Sequence, residues 1–235
     1  MKKTERKGNV KKPPKINLDR LEKEFFSRHD PELLPILRKA VVGIAGAGGL
    51  GSNVAVSLAR AGVGKLIIAD MDRVCPSNLN RQYYFLDQIG KVKVYALREN
   101  LLRINPFSTY RVHHVRVTPE NIKELFAEAE IMVEAFDLAE EKSMLINTWL
   151  SLFPDRPIVA ASGLSGFGKD NKIRTRKLGQ LYLCGDEESE PTDRVSPMAP
   201  RVAIVANMQA NLVLELLYLG LGSLSRSRGR TTLTI

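Results

Sequence analysis

Cysteine is scarce in this chain, in which only Cys75 and Cys184 among 235 residues carry a thiol. Two cysteines supply neither a disulfide framework nor the four ligands of a structural zinc site. We therefore expect two reduced thiols and no zinc.

An uninterrupted apolar run is also missing. The basic N-terminus is not followed by the apolar core of a signal peptide. The most apolar stretch, VAIVANMQANLVLELLYLGLG, is broken by Asn207, Gln209, Asn211 and Glu215. This pattern predicts a buried helix and no membrane span, and hence a cytoplasmic protein.

Acidic residues are fewer than basic ones, 26 against 35, which gives a net charge of +9. Residues 1–20 contain eight Lys or Arg against Glu5 and Asp19, so most of the excess lies there. We predict a basic flexible arm over 1–20, one domain over 21–221 and a C-terminal tail over 222–235. Such an arm is more often a solvated tail than a nucleic-acid element, so we do not expect a nucleic-acid partner.

Short apolar segments alternate with amphipathic ones through most of the chain. This order predicts an α/β fold, Rossmann-like, with a mostly parallel sheet and helices on both faces. N-terminal helices and a C-terminal extension complete it, and the acidic loop before the last helix is a candidate lid. The predicted strands are 40–46, 65–70, 108–117, 130–136, 157–162 and the basic NKIRTRKL; the predicted helices include 52–62, 92–105, one starting at Thr118 and one after Asp137.

The first predicted strand ends in AGAGGLGSN, a G-x-G-x-x-G loop. Backbone amides of such a loop approach a phosphate at a helix N-terminus. Asp70 ends the second strand, 19 residues after Gly51, where a carboxylate accepts ribose hydroxyls. This much fits NAD and ATP equally well.

The polar residues that follow favour ATP. A triphosphate and its metal need more cationic charge than a dinucleotide does, together with a carboxylate for Mg²⁺. Predicted nucleotide-binding residues are Gly46, Gly48, Gly49, Gly51, Asp70, Asp72, Asn78, Arg81, Gln82 and Lys93, and Asp137 follows at the end of the fourth strand.

Three stretches of the sequence resemble the ThiF/MoeB, or ubiquitin-activating-enzyme-like, superfamily. They are AGAGGLGSN, then ADMDRVCPSNLNRQYYFLDQIGKVKVYALRENLLRINP, then VEAFD, and the resemblance extends from about Glu24 to Gly220. The later ASGLSGFG and MAPRVAIVANMQANL are most similar to the short, zinc-less ThiF proteins of thiamine biosynthesis.

This resemblance implies ATP-dependent adenylation of the C-terminal glycine carboxylate of a small ThiS-like sulfur carrier, with release of pyrophosphate. Asn78, Arg81 and Lys93 match phosphate-contacting positions, and Asp137 matches the magnesium-linked aspartate. Arg28 matches an arginine that reaches the ATP of a neighbouring subunit, which implies a homodimer. The expected catalytic set is Arg81, Lys93, Asp137 and Arg28.

Departures from the family pattern leave other possibilities open. The loop EPTDRVSPMAP has no cysteine, so a sulfur-transfer step falls either to another protein or to Cys184. The segments DMDRVC and VTPEN resemble the tRNA threonylcarbamoyladenosine dehydratase branch, which activates a carboxylate on tRNA. A non-catalytic carrier-binding protein is the third alternative.

Overall fold

Seven strands form one sheet within residues 17–225, the part of the chain that the computed structural model describes, with side chains described for 17–220. The strands are β1 (Val41–Ala45), β2 (Lys65–Asp70), β3 (Thr109–His114), β4 (Ile131–Glu134), β5 (Ile158–Ala161), β6 (Arg174–Leu178) and β7 (Leu181–Gly185). Their spatial order is β3-β2-β1-β4-β5-β7-β6. Every neighbouring pair is parallel except β6, which runs antiparallel to β7 at the edge.

Helices connect and cover these strands. They are α1 (Leu18–Phe25), α2 (Leu34–Leu37), α3 (Gly49–Ala61), α4 (Lys93–Ile104), α5 (Ile122–Phe126), α6 (Ala139–Leu152) and α7 (Ala199–Ser225). Short 3₁₀ turns lie at Pro76–Asn78, Leu86–Gln88 and Asp170–Lys172.

Apolar side chains cover both faces of the sheet. One cluster joins Val54 of α3, Leu97 of α4 and Val213 of α7 to the strands. The other, on the opposite face, joins Phe126 of α5 and Trp149 of α6. Burial on two faces explains why the central strands read as continuous apolar runs. The predicted α/β, Rossmann-like architecture is confirmed.

The strand order reverses at β1. β2 and β3 lie on one side of it and β4 on the other, so a crevice opens between the loops that follow β1 and β4. The register places Ala45 opposite both Ala69 and Glu134. The glycine loop, the end of β2 and the end of β4 therefore meet at one edge.

The long helix α7 is part of the core, as predicted for the apolar C-terminal stretch. Its Val205, Gln209 and Val213 are fully buried, and it packs along α3. By length and mean hydropathy alone, Ala199–Gly220 would also suffice to cross a bilayer, the one such helix among the described residues.

Most predicted elements shift by one to three residues at an end; α3 begins at Gly49 and not at Ser52, and β3 ends at His114 and not at Val117. The helix predicted from Thr118 begins at Ile122, and residues 118–121 form a turn in which Asn121 Oδ1 accepts the Thr118 N–H and Thr118 O accepts the Ile122 N–H. At the N-terminus, α1 begins at Leu18, so the last residues assigned to the arm are helical, and residues 1–16 lie outside the described part. At the other end, α7 extends through Ser225, beyond the predicted tail boundary, and residues 226–235 lie outside.

Candidate functional site

A cavity of about 660 Å³ lies at the carboxyl edge of the sheet, where the strand order reverses. Nine predicted site residues line it: Gly46, Gly48, Gly49, Asp70, Asp72, Arg81, Gln82, Lys93 and Asp137. Gly51, Asn78, Arg28 and Cys184 were also predicted and do not line it. Residues from four sequence regions therefore converge on one space.

The glycine loop is shaped by contacts that exclude larger residues. Gly46 has φ +99°, and a Cβ there would lie 2.6 Å from the Ala135 carbonyl oxygen. A Cβ on Gly51 would lie 1.9 Å from the Gly46 oxygen. The absence of a side chain at Gly51 thus allows the first turn of α3 to pack directly against the backbone of the loop. The N-terminus of α3, at Gly49, points its free N–H groups toward the cavity.

Asp70 fixes the conformation of both neighbouring loops. Its Oδ2 accepts the Ala47 N–H at 2.7 Å, and its Oδ1 accepts the Asp72 N–H at 2.7 Å. Each carboxylate oxygen keeps a second lone pair, so contact with ribose hydroxyls is compatible with both bonds.

Arg81 reaches the cavity from the turn that follows Pro76–Asn78. Its side-chain stem lies against Gly49, and its Nη1 donates to Ser77 O at 3.1 Å and Asn80 Oδ1 at 2.8 Å. The Arg81 carbonyl accepts the Asn53 side chain of α3 at 3.0 Å. The guanidinium is therefore held beside the glycine loop with donors still available.

Asn78 orders this turn from outside the cavity. Its Oδ1 accepts the Cys75 N–H at 2.9 Å, and its carbonyl accepts the N–H groups of Arg81 and Gln82. The structure thus gives Asn78 a positioning role, and the predicted phosphate contact stays a prediction. Gln82 is buried, and its Oε1 has no partner among the described residues.

Lys93 is the first residue of α4 and is only 6% exposed. Its Nζ lies 2.7 Å from Asp72 Oδ2, while the Asp72 carboxylate itself is largely solvent-exposed. The Lys93 N–H also donates to Asp72 O at 2.9 Å. An ammonium with three N–H groups keeps donors for a phosphate beyond this ion pair.

Asp137 lies exposed in the turn between β4 and α6. It has no hydrogen-bond or ion-pair partner among the described residues, and these contain no cluster of three or more metal-binding side chains. Mg²⁺ bound to a nucleotide needs only one or two carboxylates beside the phosphates and waters. A lone, unpaired carboxylate opposite the glycine loop fits that requirement.

Sequence reasoning missed a buried ion pair beside Asp137. Glu134 is fully buried, and its two oxygens lie 3.1 and 3.0 Å from Lys142 Nζ, which lines the cavity. Burial raises the pKa of Glu134, against the opposing effects of Lys142 and the Phe136 N–H. An acid inside the apolar run IMVEAF was the available signal.

A second missed pair supports the far wall of the cavity, which is formed by residues 162–165, 189–191 and 197. Asp186 and Arg201 are both buried, with Nη2 and Oδ2 2.5 Å apart, and Arg201 also donates to the Gly168 carbonyl. Burial would raise the pKa of Asp186, yet bonds from Ser189 and two backbone N–H groups, with the Arg201 charge, lower it to about 2. The pair joins the 163–168 turn, the 186–190 loop and the start of α7.

Cys184 and Arg28 lie away from the cavity lining. Cys184 is fully buried in β7, its Sγ lies 3.7 Å from Thr175 Oγ1, and burial raises the pKa of the thiol. A shielded, protonated thiol is a poor nucleophile, so nothing in this geometry supports the predicted sulfur transfer. Arg28 is exposed in the turn after α1, and its role toward a second subunit stays a prediction.

A model of the ThiF family matches residues 22–232. The adenylyltransferase and sulfurtransferase uba4 of Emericella nidulans is 33% identical over 178 residues, which cover 75% of this chain and 34% of that protein. The tRNA threonylcarbamoyladenosine dehydratase of Haemophilus influenzae is 35% identical over 120 residues, 50% of this chain and 46% of that one. This chain spans about a third of the length of the uba4 relative.

Among solved structures, the dehydratase TcdA of E. coli in complex with AMP superposes with a TM-score of 0.77 at 22% identity. The match covers 85% of this chain and 94% of TcdA. A TcdA structure in complex with ATP matches equally well. At this identity the similarity establishes the fold, with an adenine nucleotide bound in the relative.

Proposed function

The chain belongs to the ThiF family, and from that premise we propose that it adenylates a carboxylate with ATP and Mg²⁺, releasing pyrophosphate. In the finer form of the proposal, the carboxylate is the C-terminal glycine of a small ThiS-like sulfur carrier used in thiazole synthesis for thiamine. The relatives described above are uba4 and the tRNA dehydratases. The assignment to thiamine synthesis is therefore supported only by the resemblance of ASGLSGFG and MAPRVAIVANMQANL to short ThiF proteins.

One observation carries the adenylation proposal. A single cavity brings together a glycine loop at a helix N-terminus, the cations Arg81 and Lys93, and the unpaired carboxylate of Asp137. This set supplies backbone donors and positive charge for phosphates and a ligand for their metal. A dinucleotide dehydrogenase would require neither the second cation nor the free acid.

Positioning and charge account for the reaction. The substrate carboxylate oxygen attacks the α-phosphorus, an acyl-phosphate bond forms, and the bond to the β-phosphate oxygen breaks as pyrophosphate leaves. Arg81 and Lys93 stabilise the negative charge that develops on the phosphoryl oxygens, and Asp70 holds the ribose. Mg²⁺, when bound, neutralises further phosphate charge. This step requires no covalent bond between the enzyme and the substrate.

The far wall of the cavity favours an acyl substrate whose residues before the terminal carboxylate carry no charge. It consists of Ser162, Gly163, Leu164, Ser165, Ser189, Glu190, Pro191 and Pro197, and contains no lysine or arginine. A glycine-terminated peptide brings only small residues and backbone amides to such a wall. A tRNA backbone would call for cations there.

Ser165 is the residue of this wall that a peptide tail would contact. It is only 3% exposed, and its hydroxyl has no partner among the described residues. We expect Ser165→Ala to raise the KM for the carrier by about 2–10-fold, the value of one lost hydrogen bond, with the KM for ATP unchanged. The free energy of unfolding should stay equal or rise by up to about 1 kcal/mol, because an unsatisfied buried hydroxyl is removed.

Steady-state pyrophosphate exchange and urea unfolding check this expectation. Ser151→Ala, an exposed serine of α6, is the matched control and should change neither quantity. If Ser165→Ala leaves the KM for the carrier unchanged, the proposed contact between the carrier tail and this wall is wrong.

The overall proposal is tested by carrier-dependent exchange of labelled pyrophosphate into ATP. Purified protein with ATP, Mg²⁺ and carrier should catalyse exchange, and a carrier lacking its terminal glycine should not support it. Equal exchange with the intact carrier and with the carrier that lacks its terminal glycine would contradict the proposal. Carrier binding without any exchange would instead support the non-catalytic alternative.

A tRNA-linked carboxylate is the second candidate. The fold similarity to TcdA and the Haemophilus influenzae relative favour it, as does the net charge of +9. Filter binding of tRNA at two salt concentrations distinguishes the candidates, since phosphate contacts make affinity fall steeply with salt. Tight, salt-dependent tRNA binding together with tRNA-stimulated ATP turnover would favour this candidate over the carrier.

The active form in this proposal is a cytoplasmic homodimer. Exposed Arg28 would reach the nucleotide of the neighbouring subunit, as the family resemblance implies. Arg28 is not among the residues that line the cavity of its own chain, so in this proposal it contributes only across subunits.

A further inference from the structure

A buried acid–base pair ties together the two ends of the turn that carries Asp137. Glu134, the last residue of β4, is fully buried, and Lys142 lies in the first turns of α6. Lys142 Nζ contacts Glu134 Oε1 at 3.1 Å and Oε2 at 3.0 Å. The pair therefore closes a nine-residue ring from Glu134 to Lys142.

Lys142 lines the nucleotide cavity, yet its donors are already used. An ammonium has three N–H groups. Two donate to Glu134, and the third donates to the Ala161 carbonyl at the end of β5, 3.3 Å away. In this geometry Lys142 holds β4, β5 and α6 together and has no donor left for a phosphate.

The enclosed turn is also fixed to the glycine loop. Glu134 Oε1 accepts the Phe136 N–H at 2.7 Å, and the Ala135 N–H donates to Ala45 O at 2.9 Å. The Ala135 carbonyl packs so closely on Gly46 that a Cβ there would lie 2.6 Å away. Asp137 thus carries the unpaired carboxylate of a turn that is held by the Glu134–Lys142 pair, by the Phe136 N–H and by the contacts of Ala135.

We propose that the Glu134–Lys142 ion pair positions Asp137 for the magnesium of bound nucleotide, which makes Lys142 a positioning residue and not a phosphate ligand. The proposal rests on the assignment of Asp137 to Mg²⁺ made above. Charge supports it as well as geometry. Lys142 neutralises the buried Glu134 carboxylate, so Asp137 remains the unpaired acid of this turn for the cation.

Metal binding tests the pair without any carrier. Mn²⁺ bound together with a non-hydrolysable ATP analogue is measured by electron paramagnetic resonance, and analogue affinity is measured separately in EDTA. Lys142→Met alone leaves a buried charge and is expected to fold poorly, so the decisive variant is the double replacement Glu134→Gln/Lys142→Met. Lys142→Arg keeps the charge, and Glu140→Gln, on an exposed acid of α6, is the control.

The double variant should bind Mn²⁺ about 10–100-fold more weakly, which is the usual effect of losing residues that orient a metal ligand. Its affinity for the ATP analogue in EDTA should be unchanged. Lys142→Arg should recover most of this loss, and Glu140→Gln should match the wild type. Equal loss of metal-free analogue affinity would make Lys142 a phosphate ligand and overturn the proposal. Wild-type Mn²⁺ affinity in the folded double variant would leave the pair a purely structural role and overturn it too.

Asp137→Asn separates this inference from the proposed function. It should weaken Mn²⁺ binding at least as much as the double variant does, and unchanged affinity would overturn both the magnesium assignment and the positioning role. If wild-type protein shows the expected metal behaviour but no pyrophosphate exchange with any carrier, the proposed function fails while the pair retains its role.

Discussion

Lys93→Met should lower the rate of pyrophosphate exchange by about 10²–10³-fold, the usual effect of removing one group that stabilises transition-state charge. Methionine preserves most of the buried stem of Lys93, and the Asp72 carboxylate that loses its partner is solvent-exposed. The free energy of unfolding should therefore change by less than about 1 kcal/mol. Exchange kinetics and urea unfolding of the same samples measure both quantities.

Lys91→Met is the matched control for this loss. Lys91 lies two residues earlier, is exposed, and pairs with Glu99 at the surface at 3.0 Å. We expect wild-type exchange within about twofold, since a screened surface pair contributes little. Equal losses in the two variants would show that general positive charge, and no contact specific to Lys93, supports the reaction.

Arg201→Met should destabilise the protein by about 3–5 kcal/mol, because it leaves the Asp186 carboxylate buried without its partner charge. Both side chains are at most 2% exposed, and Arg201 also holds the Gly168 carbonyl. The wall that includes Ser165 should loosen with it, so the carrier KM should rise in whatever fraction remains folded. Urea unfolding measures the first effect and exchange kinetics the second.

Two further variants separate buried charge from mere loss of an arginine. Arg176→Met removes an exposed partner of Glu187 and should cost less than about 1 kcal/mol. The double variant Asp186→Asn/Arg201→Met should recover much of the lost stability, since no uncompensated charge remains. A double variant as unstable as Arg201→Met would assign the loss to packing.

The same pair predicts how stability depends on pH. The pKa of Asp186 is lowered from 3.8 to about 2 in the folded protein. A group with a depressed folded pKa contributes stability that is complete above its unfolded value and is lost as the pH falls through the folded one. Unfolding free energy should therefore drop between about pH 4 and pH 2, and Asp186→Asn should flatten that part of the curve.

The half of the candidate site that contains the glycine loop could be predicted because its residues follow one another in local motifs. Gly46 to Gly51 form the turn from β1 to α3, Asp70 ends the next strand, and Lys93 begins the next helix. Each position follows from the rule that the carboxyl ends of parallel strands share an edge. The architecture could be predicted from local patterns too, because the apolar strands and the glycines of the turns mark the order of the elements.

The far wall could not be predicted, because its parts are distant in sequence. Ser165, Asp186 and Arg201 come from three segments that meet only after β6 and β7 extend the sheet past β5. Nothing in their local spacing announces a contact. A buried arginine in a helix and an acid in a polar loop both look like surface residues until the fold brings them together.

Local signals were less informative at two turns. Thr118 and Pro119 resemble a helix start, but residues 118–121 form a turn and α5 begins at Ile122. Asn78 matches a phosphate-contacting position, and the motif gives no sign that its side chain also accepts the Cys75 N–H. Side-chain hydrogen bonds within turns depend on tertiary context, which a short window of sequence does not contain.

The fixed conformation of the glycine loop has a consequence for the kinetics of nucleotide binding. The Gly46 N–H donates to Ala69 O, Asp70 accepts the Ala47 N–H, and Gly51 packs on the Gly46 carbonyl, so contacts within the protein itself hold the loop. The backbone entropy of this segment is therefore lost during folding, and little ordering remains for the encounter itself. Nucleotide should enter at a rate governed by diffusion into the crevice, with the residence time set by how quickly phosphates leave the charged side chains.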